Sequence, residues 1–359
     1  MKPAHFSGSL PDQKITGVTR WSSPSNIALT KYWGKHGDQL PRNPSVSFTL
    51  SEARTETEVR IHSSDDHQDL QLDFLFEGQK NESFALRISD FLLRHEDKMP
   101  YIRHFNWHIS SKNTFPHSSG IASSASAMSC LIMNIIDIER QYLQHDLSDD
   151  EAVQRASYLS RLASGSASRS VYPMAAVWGK CNGITDSHDE YAIPVGPLLH
   201  EIFQNYHDDI LIVSADEKSV SSSAGHKLME NNPYSHVRFE QAARNTATMM
   251  SILRQGELMD FIELIELEAL TLHALMMTST PSYILMHANT LKVIESIRRF
   301  RKEKDIPIGF TLDAGPNVHI LYPDRYEMEC QNFISDRLMQ YSTGTLIRDR
   351  VGQGPEKLL

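Results

Sequence analysis

Polar and apolar positions alternate with a period of two over residues 55–61 (Thr-Glu-Thr-Glu-Val-Arg-Ile) and 70–76 (Leu-Gln-Leu-Asp-Phe-Leu-Phe), the pattern of strands with one buried face. A helix is predicted over 81–95 and another strand over 104–110. Met128, Leu131, Ile132, Ile135 and Ile138 then recur at helical spacing, so a helix follows directly on a run of small residues. Residues 149–163 predict a further helix that stops before Ser-Gly-Ser at 164–166. Beyond residue 170, strands are expected at 175–179 and 209–214, long helices at 236–254 and 258–277, and an amphipathic helix at 289–303. Residues 308–313 and 318–321 predict a hairpin around Ala-Gly-Pro-Asn at 314–317. Strands and helices mix without a strict βαβ rhythm, which predicts an α+β class. No repeat or low-complexity linker interrupts the chain, and the softest boundary is Ile-Pro-Val-Gly-Pro at 193–197.

Composition narrows the function classes. The 359 residues leave room for two fused lobes or one large domain. A net charge of −10 argues against a general nucleic-acid binder, which would carry a basic stripe. It does not argue against an anionic substrate, because local lysines and arginines act within a Debye length. Cys130, Cys181 and Cys330 are widely spaced and odd in number, so no disulfide framework is expected and a reducing, cytoplasmic setting is. The first residues do not resemble a signal peptide, and no run of about 18 apolar residues predicts a membrane span.

Five segments could carry chemistry. Residues 113–127 (Asn-Thr-Phe-Pro-His-Ser-Ser-Gly-Ile-Ala-Ser-Ser-Ala-Ser-Ala) place hydroxyls of Ser118, Ser119, Ser123 and Ser124, with Gly120, at a helix start, where backbone N–H groups can cradle phosphate. The same residues also read as a capped, tightly packed helix. They form neither a Walker P-loop nor a dinucleotide fingerprint. Residues 26–35 (Asn-Ile-Ala-Leu-Thr-Lys-Tyr-Trp-Gly-Lys) set Lys31 and Lys35 beside Tyr32 and Trp33. That arrangement is either a phosphate or carboxylate site or a core pair with snorkelling lysines. Residues 164–169 (Ser-Gly-Ser-Ala-Ser-Arg) and 220–225 (Val-Ser-Ser-Ser-Ala-Gly) are polar loops, the first carrying Arg169. Asp313 enters a Gly-Pro turn after an apolar strand, either presented to a cleft or serving the turn. No histidine falls in a zinc pattern, and Glu268 and His273 are badly spaced to share an ion. The metal expected is Mg²⁺ brought by a nucleotide.

Taken in order, Asn-Ile-Ala-x-x-Lys-Tyr-Trp-Gly-Lys, Phe-Pro-x-x-x-Gly-x-Ala-Ser-Ser-Ala, Ser-Gly-Ser-Ala-x-Arg-Ser and Asp-Ala-Gly-Pro-Asn resemble the diphosphomevalonate decarboxylase family of the GHMP kinase superfamily. The resemblance runs from about residue 18 to Pro355. It implies two lobes, 1–195 with the phosphate-binding loop and 196–359, with the active site in the cleft between them. It implies ATP-dependent decarboxylation of (R)-5-diphosphomevalonate to isopentenyl diphosphate, with ATP and Mg²⁺, no nucleic-acid or membrane partner, and commonly a homodimer. By the same resemblance Asp313, Lys31 and Arg169 are catalytic. Asp313 would act on the 3-hydroxyl proton, Arg169 on the carboxylate, and Lys31 on the phosphoryl group or the carboxylate. Tyr32, Lys35, Ser164, Ser166 and Ser222 would hold substrate, and Ser118, Ser119, Gly120, Ala122, Ser123 and Ser124 the ATP phosphates.

The chain departs from the family pattern at Pro44, at 117–119 (His-Ser-Ser), at 172–175 (Tyr-Pro-Met-Ala), and at Gly225-His226, where the family has Gly-Met. Alternatives are a relative that takes 5-phosphomevalonate, a 3-kinase that stops after phosphorylation, and a non-catalytic nucleotide-binding regulator.

Overall fold

The computed structural model describes residues 5–10, 13–115, 123–216 and 220–359, and at Ser222 the backbone alone. Along the chain come β1 (Thr16–Ala28), a short hairpin of β2 (Lys35–His36) and β3 (Leu40–Pro41), and the long β4 (Ser45–Ser63). Next are β5 (Gln71–Phe76), β6 (Gln79–Lys80), α1 (Glu82–Arg94) and β7 (Phe105–Asn113). Helices α2 (Ser123–Tyr142) and α3 (Asp149–Ala163) precede β8 (Ala175–Trp178) and β9 (Ala192–Pro194). Apart from the separate β2-β3 hairpin, these strands, joined by the terminal β14 described below, build one sheet with β1 antiparallel to β4 and β4 antiparallel to β7 and β8.

The second half begins with α4 (Glu201–Gln204) and β10 (Tyr206–Leu211), followed by α5 (Ser222–Leu228), α6 (Ser235–Gln255), α7 (Leu258–Met277) and α8 (Ala288–Lys304). Strands β11 (Gly309–Thr311) and β12 (Val318–Pro323), helix α9 (Glu327–Phe333) and β13 (Leu346–Ile347) complete it. A four-stranded antiparallel sheet in the order β11-β12-β10-β13 results. The last strand, β14 (Glu356–Lys357), returns to the first sheet and pairs Lys357 with Trp21 on β1.

Local chemistry explains the clearest elements. Helix α3 starts on a capping box in which Ser148 Oγ accepts the Glu151 N–H and the Glu151 carboxylate accepts the Ser148 N–H. Asn81 caps α1 by accepting the Phe84 N–H at 3.1 Å. Helix α6 stops where Gly256 takes φ 81°, a left-handed turn that glycine enters without a Cβ penalty. The expected apolar face of α2 is buried in full, and the hairpin expected around 314–317 forms between β11 and β12.

Two strands differ from the expectation. The second half of β1 reads Ser-Ser-Pro-Ser-Asn-Ile-Ala and is buried throughout, so its polarity hid a strand. Its polar groups find partners: Asn26 Nδ2 donates to Ser170 Oγ at 2.7 Å, and Ser22 Oγ accepts from Arg54 Nε at 2.8 Å. Strand β10 starts at Tyr206 rather than 209 and so takes in Asp208 as well as the expected Asp209. Their carboxylates find partners across the sheet, Asp208 in the His319 ring at 2.9 Å and Asp209 in the Tyr322 hydroxyl, which donates at 2.6 Å. Buried polar groups with partners violate the hydrophobic pattern without violating the physics behind it.

The two sheets are tied through Asp349, whose carboxylate accepts the N–H groups of Ser51 at 2.7 Å, Glu52 at 2.9 Å and Ala53 at 2.7 Å. Burial pushes the Asp349 carboxyl up to about 6, against those bonds.

Candidate active site

A cavity of about 470 Å³ opens where the 31–35 segment, the start of α2, the turn after α3, the α5 region and the turn after β11 converge. Lys31, Lys35, Arg87 and Arg169 all line it, with Asp313 the one carboxylate among the described lining residues. Four cations around one carboxylate suit a polyanionic ligand.

Lys31 Nζ lies 3.2 Å from Asp313 Oδ1, the lysine side chain being 2% and the aspartate 25% exposed. Burial lowers the Lys31 ammonium from its ordinary value, and Asp313 opposes that by supplying the counter-charge. The Lys31 backbone is held from both sides. Its N–H donates to Glu268 Oε2 at 2.8 Å, and its carbonyl accepts from Asn43 Nδ2 at 3.0 Å and Arg238 at 3.3 Å. Glu268 in turn grips Arg238 at 2.6 and 2.7 Å and accepts from Asn245 at 2.6 Å. Burial works against its charge, yet Arg238 and these donors hold its carboxyl below the usual range. Glu268 thus serves Lys31, while His273 on the same helix lies 3.1 Å from the Asp313 carbonyl.

Arg169 is buried beside Ser45 Oγ, with its guanidinium 3.3 and 3.4 Å from Asn26 Oδ1. Burial pushes it down to about 10, so it remains a cation at neutral pH. Its loop turns at Gly165, where a Cβ would meet the Trp178 ring at 2.8 Å and the Tyr32 hydroxyl at 3.0 Å. The missing side chain lets that hydroxyl reach the loop. Burial pushes the Tyr32 phenol up, which keeps it a neutral donor. Trp33 is buried at 4% exposure, as the core reading had it, yet it lines the cavity together with half-buried Tyr32.

The remaining expected residues divide by position. Ser164 and Ser166 line the cavity, and Ser164 Oγ lies 3.3 Å from Ser124 Oγ at the start of α2. Ser123 lines it too, whereas Ser118, Ser119, Gly120 and Ala122 lie outside the described residues. Ser222 has only its backbone described, between Ser221 and Ser223, both of which line the cavity.

Sequence reading missed Arg87, which sits on the polar face of α1 like any solvated arginine. Only the packing of α1 brings it to the cavity. There its charge, after burial, helps pull the Lys35 ammonium below its ordinary value. A small apolar slot lined by Phe74, Phe84, Ile88 and Met128 adjoins the cavity at Ser123, which lines both, and carries Ser111 and Asn113 at its edge. Among the described residues, the one His/Asp/Glu group close enough to share an ion is His207, Asp324 and Glu327, none of which lines the cavity.

Residues 23–189 match the model of a diphosphomevalonate decarboxylase-like N-terminal domain, and residues 209–356 that of a mevalonate 5-diphosphate decarboxylase C-terminal domain. The diphosphomevalonate decarboxylase of Debaryomyces hansenii is 30% identical over 320 residues, covering 85% of this chain and 79% of that one. The crystal structure of mevalonate diphosphate decarboxylase from Staphylococcus aureus superposes with a TM-score of 0.81 at 28% identity, covering 96% of this chain and 99% of its own. A structure of MDDEF in complex with MVAPP, AMPPCP and magnesium gives 0.79 at 26% identity, with the same coverage. The two-sheet α+β architecture is the GHMP kinase-like fold. With its cavity, its cation set and its relatives in agreement over both halves, this chain belongs to the diphosphomevalonate decarboxylase family.

Proposed function

We propose that the chain catalyses the ATP-dependent decarboxylation of (R)-5-diphosphomevalonate to isopentenyl diphosphate, releasing ADP, phosphate and CO₂. The observation that carries this is the convergence of Lys31, Asp313 and Arg169 on one cation-rich cavity. Its likeness to MDDEF, which was captured with MVAPP, AMPPCP and magnesium, supports the substrate class.

A tertiary hydroxyl is a poor leaving group, so the 3-hydroxyl is first made a phosphate ester with the γ-phosphoryl group of ATP. Loss of that phosphate leaves positive character at C3. The electron pair of the C1–C2 bond then becomes the C2=C3 double bond, and C1 departs as CO₂. Asp313 accepts or orients the hydroxyl proton, and Lys31 beside it answers the charge of the transferring group. Arg169 holds the carboxylate, its guanidinium set by Asn26 and Ser45. Lys35, Arg87 and the Tyr32 hydroxyl take the diphosphate end, and Ser164, Ser166 and Ser222 complete the substrate contacts.

ATP phosphates are assigned, on the family resemblance, to Ser118, Ser119, Gly120 and Ala122 and to Ser123 and Ser124, the last two at the start of α2. The residues present fit Mg²⁺ arriving with ATP: Asp313 and the serine hydroxyls offer oxygen donors beside bound phosphates, and Mg²⁺ needs few protein ligands there. Bound, it neutralises phosphate charge. The division into lobes 1–195 and 196–359 is supported by the change of sheet between β9 and β10. A cytoplasmic setting is supported by three free, buried thiols, Cys130, Cys181 and Cys330. A homodimer rests on the family resemblance alone.

The test is turnover with Mg-ATP and mevalonate, 5-phosphomevalonate or 5-diphosphomevalonate in turn, following ADP and CO₂ together. Equal ADP and CO₂ with the diphosphate alone is expected. Preference for the monophosphate moves the substrate, ADP without CO₂ makes the chain a kinase, and no turnover overturns the enzymatic reading.

A further inference from the structure

His226 stands where the family pattern has methionine, and its surroundings are built for an imidazole. The Gly34 N–H donates to its Nδ1 at 2.9 Å. The rings of Tyr32 and Trp33 lie against it with centroids at 4.4 and 4.5 Å. Glycine is required on both sides of this contact. Gly34 adopts φ 101°, and a Cβ there would meet the Phe239 ring at 2.9 Å. A Cβ on Gly225 would meet the Trp33 ring at 2.5 Å and the Tyr283 hydroxyl at 2.8 Å. The segment bearing Lys31 and Lys35 is thereby docked onto α5 through one histidine.

Accepting a hydrogen bond at Nδ1 places the proton of the neutral ring on Nε2. Gly34 occupies the Nδ1 edge and two aromatic rings cover the ring, so the side His226 turns to the cavity is the Nε2 side. That atom has no hydrogen-bond partner among the described residues. We propose that His226 is a substrate-positioning residue, a neutral donor whose Nε2–H binds the diphosphate end of the substrate beside Lys35. Burial, with the Lys35 charge added, pushes its pKa down to about 3, so the donor keeps one protonation state over the range in which the enzyme would work. An imidazolium would lose the Nδ1 lone pair that holds Gly34, and with it the position of the lysine segment. The inference rests on the diphosphomevalonate reading of the cavity.

Two variants separate the ring's two edges. His226→Asn keeps an acceptor near Nδ1 for Gly34 and removes the outer donor, whereas His226→Gln carries an amide N–H near the Nε2 position. His226→Asn is expected to raise KM for 5-diphosphomevalonate about tenfold or more, as loss of a hydrogen bond to a charged group does. Its kcat and its KM for ATP should stay within about twofold, whereas His226→Gln, which keeps an outer donor but no acceptor for the Gly34 N–H, should lower kcat as well by disturbing the lysine segment. An unchanged KM in His226→Asn, or an equal rise in the KM for ATP, overturns the proposal. Nitrogen-15 spectra of the histidine rings give a readout that needs no variant. A proton on Nε2 at pH 6 to 8 that shifts when 5-diphosphomevalonate binds is expected; a proton on Nδ1, or no shift, overturns the proposal. If the wild-type protein turned over no 5-diphosphomevalonate, the functional reading would fall. An active wild type matched in KM by His226→Asn would remove only the role of His226.

Discussion

Asp313 Oδ1 and Lys31 Nζ meet at 3.2 Å across 282 residues of chain. The lysine comes from the segment after β1 and the aspartate from the turn between β11 and β12, so one element of each sheet supplies one partner. Residues far off in sequence help to place both. Lys31 is held by Glu268 and Arg238, and Asp313 by its turn and by His273.

Asp313→Asn should keep the fold and lower turnover by about 10²–10⁴, the range for removing a general acid–base group. Coupled assays of ADP and CO₂ check the loss, and a thermal melt within a few degrees of the wild type checks the fold. Turnover within tenfold of the wild type would take the 3-hydroxyl proton away from Asp313.

Arg87→Ala should raise KM for 5-diphosphomevalonate by about tenfold or more, with kcat changed far less, because a charge at the diphosphate end serves binding more than chemistry. Steady-state kinetics with each substrate varied in turn distinguishes this from an effect on ATP. A rise confined to the KM for ATP would place Arg87 at the nucleotide instead.

Glu268→Gln leaves Arg238 buried without its counter-charge, and removing one member of a buried pair costs about 3–5 kcal/mol. Urea unfolding should show that loss. Turnover should fall as well, even in the folded fraction, because the Lys31 N–H and carbonyl are clamped by the same pair. Full turnover in a destabilised variant would reduce the pair to a structural role.

Stability should carry a pH signature of His226. Its ring titrates near 6.5 when unfolded and near 3 when folded, so between those values the unfolded chain binds more protons. Its contribution is complete above about pH 6.5 and is lost as pH falls toward 3, at up to about 1.4 kcal/mol per pH unit. Asp209 and Asp349, both pushed up to about 6, slope the other way, but they are present in both proteins when wild type and His226→Asn are compared. Urea midpoints of the two between pH 5 and pH 7.5 should diverge on that slope, and parallel curves would show that His226 is not buried neutral.

By itself the sequence determined the elements whose burial is periodic. Helices α3 and α7, the apolar face of α2 and the β11-β12 hairpin could be read because side chains a turn or two apart share one environment. It also determined the short motifs around Lys31, Arg169 and Asp313, because backbone turns and charged side chains there need particular residue types. Only the tertiary structure decided which polar residues are buried. The serine-rich half of β1, Asp208 of β10, the Arg238–Glu268 clamp and His226 all look like surface or loop residues in the chain. Their burial depends on partners up to hundreds of residues away, and a hydrogen bond or counter-charge from such a distance leaves no period in the sequence.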